Sequence, residues 1–382
     1  MTRRPFGPFL GKPLVSPLMP AVVYRAESPD ALDAMYTGGD AAFVYSREGH
    51  PNARHVAGII DALEGAEGGV MTPSGMAAVS LALLAAAKTG DHVIGSTQLY
   101  GRSQRLLAED LPRLGISTTL FDPTDVESAR AAIKPETTAM LIEVVANPSL
   151  RVADMEGLIS LGQEHGLTVI VDNTFTTPIG YRPLVAGADI VLHSVTKLLS
   201  GHSDAMLGWV AARDRETNQR LDTMAATWGF TAAPFDCWLA ERGLLSFELR
   251  HARTQSNAAA LAEALSELPQ VRRVLYPGRP DHPDHNRARA LLGENMGSMV
   301  SFEIEPDRGV TNAFVEAINV AFAPTLGDIA TTLSHPMSSS HREVSKAARA
   351  ASGISEGFFR VSVGVEPEAD LIAAFRDALV QL

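Results

Sequence analysis

The stretch Asp189-Ile-Val-Leu-His-Ser-Val-Thr-Lys-Leu-Leu-Ser-Gly-His-Ser-Asp204 decides the fold class of this 382-residue chain. Segment 189–192 is short and rich in β-branched residues, which is typical of a buried strand. The hydroxyl-rich residues after it place Lys197 at the carboxyl edge of a sheet, where open α/β sheets bind ligands. Most lysines are solvated surface charges. Apolar residues before and after Lys197 would lower the pKa of its amine, which makes it a candidate Schiff-base nucleophile.

A second apolar strand, 167–171, also ends in a polar residue, Asp172. A carboxylate and a lysine at the ends of neighbouring strands suit pyridoxal phosphate (PLP). In such a site the lysine forms a Schiff base, and the carboxylate keeps the pyridine nitrogen protonated so that the ring withdraws electrons. Taken alone, Asp172 could instead cap the turn that follows it.

The two polar strand ends carry a family resemblance. Asp172-Asn173-Thr174 and Ser194-Val-Thr-Lys-Leu-Leu-Ser-Gly-His-Ser-Asp204 resemble the signature of the Cys/Met-metabolism PLP enzymes. This family includes cystathionine γ-synthase, cystathionine γ-lyase, methionine γ-lyase and the O-acylhomoserine sulfhydrylases. The resemblance runs from about residue 45 to the C-terminus.

The resemblance implies an α/β protein of PLP fold type I. We expect a mainly parallel, doubly wound sheet in a large domain and a smaller α+β C-terminal domain. The alternation of strand 139–145, a helix near 155–161 and strand 167–171 independently favours a parallel sheet. The predicted organisation is an N-terminal arm over 1–50, a PLP-binding domain over 51–240 and a C-terminal domain over 241–382.

Composition argues against several classes of partner and location. The net charge is −12, so neither nucleic acid nor an anionic membrane is an expected partner. The single cysteine, Cys237, excludes an internal disulfide framework and fits the reducing cytoplasm. Proline and glycine interrupt the N-terminal stretch, so we expect no targeting segment, and no apolar run is long enough to cross a bilayer. His282 and His285 have a spacing that could suit a metal, but a solvated loop without a metal is favoured.

A phosphate site is predicted where segment 69–76 passes from a strand through a glycine turn into an alanine-rich helix. Backbone N–H groups and the positive helix end would face the phosphate. Ser74 could also be the N-cap of that helix. By resemblance, Gly75 and Met76 contribute amides to the phosphate site, and the hydroxyls belong to Ser194 and Thr196.

The arm ends in Tyr45-Ser46-Arg47, which resembles a family segment that reaches the PLP phosphate of a neighbouring subunit. Tyr45 would supply a phenol and Arg47 a planar guanidinium. The resemblance therefore implies a homo-oligomer, a dimer of active-site-sharing dimers. An exposed loop with an isolated arginine is the alternative interpretation.

Five further positions match the family. Tyr100 corresponds to the tyrosine that stacks on the cofactor ring and can exchange protons with the leaving group. Asn147 lies near the ring hydroxyl, and Arg105 corresponds to an arginine of the cystathionine enzymes. Thr331 replaces the usual serine of the substrate loop, and Arg360 binds the substrate α-carboxylate, which suits a planar guanidinium. Without the resemblance, Tyr100 would be a structural aromatic and Arg360 an edge charge.

The resulting hypothesis is γ-elimination or γ-replacement on a homoserine-derived sulfur amino acid, with Lys197, Tyr100 and Asp172 as catalytic residues. An O-acylhomoserine-dependent cystathionine γ-synthase or sulfhydrylase is the alternative of the same class. Val44 and Ala330 occupy positions where cystathionine enzymes usually carry acidic residues, so we expect cystathionine to be a poorer substrate here than in typical relatives.

Three other classes of function are less well supported. The segment 201–205 lacks the last glycine of the hydrolase motif Gly-x-Ser-x-Gly. No Gly-x-Gly-x-x-Gly follows a strand, which argues against a dinucleotide-binding oxidoreductase. A non-catalytic PLP-binding regulatory protein would have no need of Lys197.

Overall fold

The computed structural model describes residues 13–38, 42–342, 349 and 353–382. Within these ranges the first sheet has seven strands in the order β1-β7-β6-β5-β4-β2-β3. The strands are β1 Val70–Thr72, β2 His92–Ser96, β3 Ser117–Phe121, β4 Thr137–Glu143, β5 Thr168–Asp172, β6 Ile190–His193 and β7 Gly208–Ala212. Strands β2 to β6 pair in parallel, whereas β7 is antiparallel to both β6 and β1. The prediction of a mainly parallel sheet is confirmed.

Helices cover both faces of this sheet. Helix Gly75–Ala86 packs on one face with a largely buried surface, and helix Met155–His165 packs on the other. The second helix begins after the N-cap Asp154 and ends at Gly166, whose φ is +66°, as helix-capping rules predict. The other helices of this part are Pro29–Thr37, Pro51–Glu64, Gly101–Arg105 with its continuation through Leu106–Asp110 to Leu111–Arg113, Val126–Ala132, Thr177–Gly180, Arg215–Trp228 and Pro234–Leu244.

The second sheet has five strands among the described residues, in the order β10-β11-β12-β9-β8. They are β8 Arg273–Leu275, β9 Met299–Glu303, β10 Ala321–Phe322, β11 Thr332–Ser334 and β12 Phe358–Ser362. All pairs except β10–β11 are antiparallel. Helices Phe247–Ser266, His285–Leu292, Arg308–Ala317 and Glu368–Val380 accompany this sheet, together with the short 3-10 turn Pro336–Ser338. The predicted α+β unit is confirmed as part of the fold class.

The core of the second unit is a cluster of aromatic rings. Phe302 stacks on Phe359 at 5.6 Å, and Phe314 meets Phe359 edge to face at 5.1 Å. Offset and edge-to-face geometries are those that aromatic rings prefer. This rigid core fixes β12, the strand that carries Arg360.

The predicted domain limits are not decided by these elements. The boundary between residues 240 and 241 falls inside helix Pro234–Leu244, which packs against the first unit. The long helix Phe247–Ser266 begins two residues after that helix ends and packs on the second sheet. The three predicted ranges therefore stay predictions, and residues 1–12 and 39–41 of the arm lie outside the described residues.

Polar contacts join the two sheets. Arg151, in the loop after β4, donates from Nε to Asp284 Oδ2 at 2.5 Å, and Ser301 Oγ of β9 donates to Pro148 O at 2.7 Å. His282 is buried, and its Nδ1 accepts from the Asp284 amide. The expectation of a solvated loop at His282 is therefore wrong, because the loop belongs to this contact. No helix among the described residues is long and apolar enough to cross a membrane.

Candidate active site

Lys197 lies in a series of turns, 195–200, that follows β6. The turn is supported from behind by Arg250 of helix Phe247–Ser266, whose guanidinium donates to Leu198 O and Leu199 O, each at 2.9 Å. Gly201, with φ +73°, closes the turn, and a β-carbon there would collide with the Arg250 guanidinium. A buried arginine and a glycine together fix the backbone that presents Lys197.

The amine of Lys197 is largely enclosed. Its Nζ lies 3.5 Å from Thr325 Oγ1. Burial lowers the pKa of Lys197, and the positive charge of Arg360 lowers it further. Gly327, with φ +83°, approaches so closely that a β-carbon would lie 2.5 Å from Leu198 N. The loop before β11 therefore covers the lysine turn and keeps its amine near the uncharged form.

Asp172 ends β5 opposite Leu192 of the neighbouring β6. Its Oδ1 accepts from Thr174 N at 3.0 Å and from Thr174 Oγ1 at 2.5 Å, and Thr174 Oγ1 in turn accepts from Ser194 N at 2.8 Å. Burial raises the pKa of Asp172, while the hydrogen bonds from Thr174 and the charge of His193 oppose the rise. Asp172 thus caps its turn and also lies beside the end of the lysine strand.

A second carboxyl, Glu143, lies next to Asp172 at the end of β4. Its Oε1 accepts the Tyr100 amide at 2.5 Å, and the Asn147 amide also donates to it. Burial first, and then the charge of Asp172, raise the pKa of Glu143 well above its usual value. The protonated form of Glu143 is therefore favoured, with the negative charge of this carboxyl pair held at Asp172.

The predicted phosphate site is formed at the start of helix Gly75–Ala86. Ser74 is its N-cap and accepts the Ala77 amide on Oγ at 3.1 Å. Gly75 faces Ser194, and a β-carbon at Gly75 would lie 2.6 Å from Ser194 Cβ. The helix start and the Ser194 turn can approach this closely only because residue 75 has no side chain.

Thr196 and Met76 complete this edge. Thr196 Oγ1 accepts the Leu207 amide at 2.8 Å, which binds the lysine turn to the segment before β7. Met76 Sδ accepts a hydrogen bond from Ser103 Oγ at 3.8 Å. Ser103 belongs to the helix that Tyr100 precedes, so Met76 links the helix start to the Tyr100 segment.

Arg360 enters from β12 of the second sheet and is 4% exposed. It donates from Nη1 to Asn147 Oδ1 at 2.6 Å and from Nη2 to Thr325 O at 2.8 Å, while its Nε has no partner among the described residues. Its guanidinium lies 5.9 Å from the Phe175 ring centroid. Burial lowers the pKa of Arg360 to about 10. Within the described ranges no carboxylate pairs with this buried cation.

Four predicted residues have their recorded contacts elsewhere. Arg47 donates to Ala226 O at 2.9 Å and lies over the Tyr45 ring, in a groove beside helix Arg215–Trp228. Arg105 forms an exposed ion pair with Glu109 at 3.1 Å. Thr331 donates its hydroxyl to Glu366 Oε2 at 2.8 Å. The structure therefore brings together the lysine, Asp172, Tyr100, Ser194 and Arg360 segments, but not these four side chains.

Comparison with known proteins identifies the family. The family model described as Cys/Met metabolism PLP-dependent enzyme matches residues 12–380. The chain is 38% identical over 341 residues to a cystathionine β-lyase of Bacillus subtilis, covering 89% of this chain and 87% of that protein. It is 35% identical over 372 residues to an L-methionine γ-lyase of Fusobacterium nucleatum subsp. polymorphum, covering 97% and 94%.

This chain belongs to the Cys/Met-metabolism PLP-dependent enzyme family. The crystal structure of a cystathionine γ-synthase from Xanthomonas oryzae pv. oryzae, in complex with cystathionine, has the same fold. It matches with a TM-score of 0.91 and 35% identity over 96% of this chain and 93% of that chain. The predictions of the family, of PLP fold type I and of PLP as cofactor are confirmed.

The residues present fit PLP. The Gly75–Ser194 contact leaves the first amides of a 12-residue helix and a serine hydroxyl at one edge, which suits a phosphate. Asp172 lies at the next strand end, and the Lys197 amine is favoured in its neutral, nucleophilic form. A buried acid, a buried amine and an anion site within one strand edge match the three functional groups of the cofactor.

Several site residues were not found from the sequence. Thr174 and Thr325 lie inside motifs that the sequence analysis quoted, and their hydroxyls could have been noticed as partners for Asp172 and Lys197. Glu366 follows Arg360 closely, but a glutamate near a strand end gives no distinctive signal. Arg250 has none at all, because a lone arginine in a helix is usually a solvated charge.

Proposed function

We propose that this enzyme is a PLP-dependent carbon–sulfur lyase or γ-replacement transferase that acts on homoserine-derived sulfur amino acids. The observation that carries the proposal is the buried Arg360 guanidinium, with its unpartnered Nε, on the far side of the same space as the Lys197 amine. A buried cation without an anionic partner is costly. The carboxylate of an amino acid would supply that partner.

Arg360 would bind the substrate α-carboxylate and so fix the direction of Cα. Its two Nη contacts, to Asn147 and Thr325, hold the guanidinium plane. Thr325 also contacts the Lys197 amine. One residue therefore connects the group that orients the substrate to the group that moves its proton.

PLP, when bound, withdraws electrons from the bonds at the substrate Cα. Lys197 would accept the proton from Cα, because burial and Arg360 favour its neutral form. The same amine can then move a proton at Cβ, which activates the γ-substituent. Asp172 would hold the ring nitrogen in its protonated form, and the hydrogen bonds from Thr174 fix the position of that carboxylate.

Tyr100 would stack on the cofactor ring and deliver a proton to the leaving group. The Glu143 carboxyl holds the Tyr100 amide, so the position of the phenol depends on β4. Water or a thiol that enters afterwards decides between elimination and replacement. Replacement on an O-acylhomoserine, as in a cystathionine γ-synthase or sulfhydrylase, is the alternative within the same site.

Elimination at Cβ of cystathionine is a second candidate. The relative that is 38% identical over 341 residues is a cystathionine β-lyase. The same Arg360 and Lys197 pair would serve that reaction, since it also starts with removal of the Cα proton. The remaining site residues, Ser74, Gly75, Met76, Ser194, Thr196 and Asn147, are proposed for the cofactor, and Arg105 and Thr331 for the substrate.

We further propose a homo-oligomer in which Tyr45 and Arg47 reach the phosphate site of a neighbouring subunit, and a cytoplasmic location. The groove that holds both residues lies at the surface of one chain, and Tyr45 is 40% exposed. The buried Cys237, whose pKa burial raises to about 12, is unreactive as a thiolate and fits any redox compartment that contains no disulfides.

The deciding assay is a substrate panel of methionine, homocysteine, cystathionine, O-acetylhomoserine and O-succinylhomoserine, with and without added thiol. 2-Oxobutanoate reports γ-elimination, pyruvate reports β-elimination, and a thioether product reports replacement. Borohydride reduction followed by peptide mapping should place the cofactor on Lys197. A protein that binds PLP but turns over no member of the panel would favour the non-catalytic regulatory alternative.

A further inference from the structure

Glu64, the last residue of helix Pro51–Glu64, is a fully buried carboxylate that the proposed reaction does not use. Its Oε1 accepts from two side chains, Asn173 Nδ2 at 2.8 Å and His193 Nε2 at 2.5 Å. Its Oε2 has no partner among the described residues. Burying a carboxylate is costly unless its contacts have a use, so the place of these two partners in the chain is informative.

Both partners are immediate neighbours of proposed cofactor residues. Asn173 follows Asp172, and His193 precedes Ser194. Successive residues of a strand point to opposite faces of a sheet, so Asp172 and Ser194 share the cofactor face. Glu64 holds the residues that point the other way. The carboxylate therefore joins the ends of β5 and β6 from behind.

A matching connection exists on the cofactor face. Thr174 Oγ1 donates to Asp172 and accepts from the Ser194 amide. Each strand end is thus held by one connection on each face, Thr174 in front and Glu64 behind. The charge of His193 also opposes the rise of the Asp172 pKa. The other charged groups around this pair are Glu143 in front and Glu64 behind, with the Trp209 ring 5.7 Å from that of His193.

We propose that Glu64 is a positioning residue for the cofactor site. It fixes the separation between Asp172, which would hold the ring nitrogen, and Ser194, which would hold the phosphate. One rigid cofactor molecule spans both groups, so a shift of either strand end weakens both contacts together. The inference rests on the proposed roles of Asp172 and Ser194.

The chain provides a matched control one turn earlier on the same helix. Asp61 is also a partly enclosed carboxylate, and it accepts from Trp209 Nε1 at 3.0 Å and from the Gly68 and Gly69 amides, each at 3.1 Å. Loss of this carboxylate removes hydrogen bonds of the same kind from the same helix. None of its partners adjoins Asp172 or Ser194.

The experiment measures the dissociation constant of PLP by titrating apoprotein and following the cofactor absorbance. Glu64→Ala should weaken PLP binding on the order of tenfold, since small displacements in preorganised sites have effects of this size or larger. Glu64→Gln, which keeps shape and one acceptor oxygen, should recover part of the loss. Asp61→Ala should lower thermal stability with less than about a threefold change in PLP affinity.

A double-mutant cycle separates positioning from general destabilisation. If Glu64 acts through Asp172, Glu64→Ala should weaken PLP binding much less in the Asp172→Asn background than in the wild type. Additive effects, or an equal loss in Asp61→Ala, would overturn the inference. If Asp172→Asn and Ser194→Ala themselves leave PLP affinity unchanged, the proposed cofactor site fails instead. Should Glu64→Ala not fold, the same cycle with Glu64→Gln decides.

Discussion

The Arg360 guanidinium donates to Asn147 Oδ1 at 2.6 Å and joins the two sheets at the centre of the site. Arg360 belongs to β12 of the second sheet, and Asn147 follows β4 of the first. The substrate-orienting group and the cofactor edge are thus supplied by different units. Any change in their relative position alters where the substrate carboxylate lies.

The first prediction concerns Arg360. Arg360→Lys should raise KM for the amino acid substrate by roughly tenfold to a hundredfold, because a charge-assisted hydrogen bond contributes about 1.5–3 kcal/mol. Lysine keeps the charge but cannot hold Asn147, Thr325 and a carboxylate in one plane. Steady-state kinetics measures the effect. Arg308→Lys, at an exposed arginine of the same unit, is the control. An unchanged KM in Arg360→Lys would exclude the proposed carboxylate contact.

The second prediction concerns Gly201. Gly201→Ala combines a left-handed backbone, which costs an alanine about 1–2 kcal/mol, with a collision against Arg250. Gly229 has φ +76° and nothing near its missing β-carbon. We therefore expect Gly229→Ala to lose about 1 kcal/mol and Gly201→Ala distinctly more, with weaker PLP binding in the second variant alone. Urea unfolding and PLP titration measure both, and equal losses would contradict the Arg250 contact.

The sequence predicted the strand ends well because the information there is local. Apolar runs broken by Asp172 and by the hydroxyls around Lys197 lie within one residue of the observed ends of β5 and β6. Arg250 and Glu64 could not be found in the same way. Each lies in an ordinary helical pattern, and their contacts are at least 51 residues away in the chain. Long-range partners of single charged residues leave no periodic signal.

Arg105 and the arm show a different limit. The family resemblance gave these residues roles that depend on a bound substrate or a second subunit. A single chain without them leaves Arg105 paired with Glu109, and Arg47 with Ala226. These roles stay predictions, and only experiments on the assembled enzyme can test them.

The third prediction follows from the lowered pKa of Lys197. In the unfolded chain this amine binds a proton up to its ordinary pKa, 10.5, whereas the folded apoprotein resists protonation. The unfolded state therefore binds more protons between the two values, and stability should rise with pH in that window. Lys197→Met should stabilise the apoprotein near neutral pH, and this gain should shrink as pH rises towards 10.5.

Thermal unfolding of the apoprotein at several pH values measures this effect. Lys88→Met, at an exposed lysine, is the control for the change of side chain. A gain in Lys197→Met that does not vary with pH would come from apolar packing alone. It would refute the assignment of a lowered pKa to Lys197.

The fourth prediction tests the shared site. Arg47→Ala and Lys197→Ala should each be inactive alone. If Arg47 serves the neighbouring subunit, a hybrid dimer has one intact site, so random mixing should restore about a quarter of the wild-type activity. The mixture must be unfolded and refolded, or the chains co-expressed, to allow exchange. Two different Lys197 variants mixed together are the control, and the absence of complementation would mean that Arg47 serves its own chain.

The last prediction concerns substrate choice. Ala330 is exposed in the loop that covers Lys197, and its amide donates to Asp328 Oδ1 at 2.8 Å. That acceptor contact engages the Asp328 carboxylate in the turn. With Val44 and Ala330 both uncharged, cystathionine lacks a partner for its distal ammonium, so methionine or an O-acylhomoserine should have the higher kcat/KM. Ala330→Glu should shift the ratio towards cystathionine by at least about tenfold, the size of one charge-assisted contact of 1.5–3 kcal/mol. Ala330→Gln, which adds similar bulk without charge, should shift it much less. If the wild type already prefers cystathionine tenfold, or if both variants shift the ratio equally, charge at this position does not set the preference.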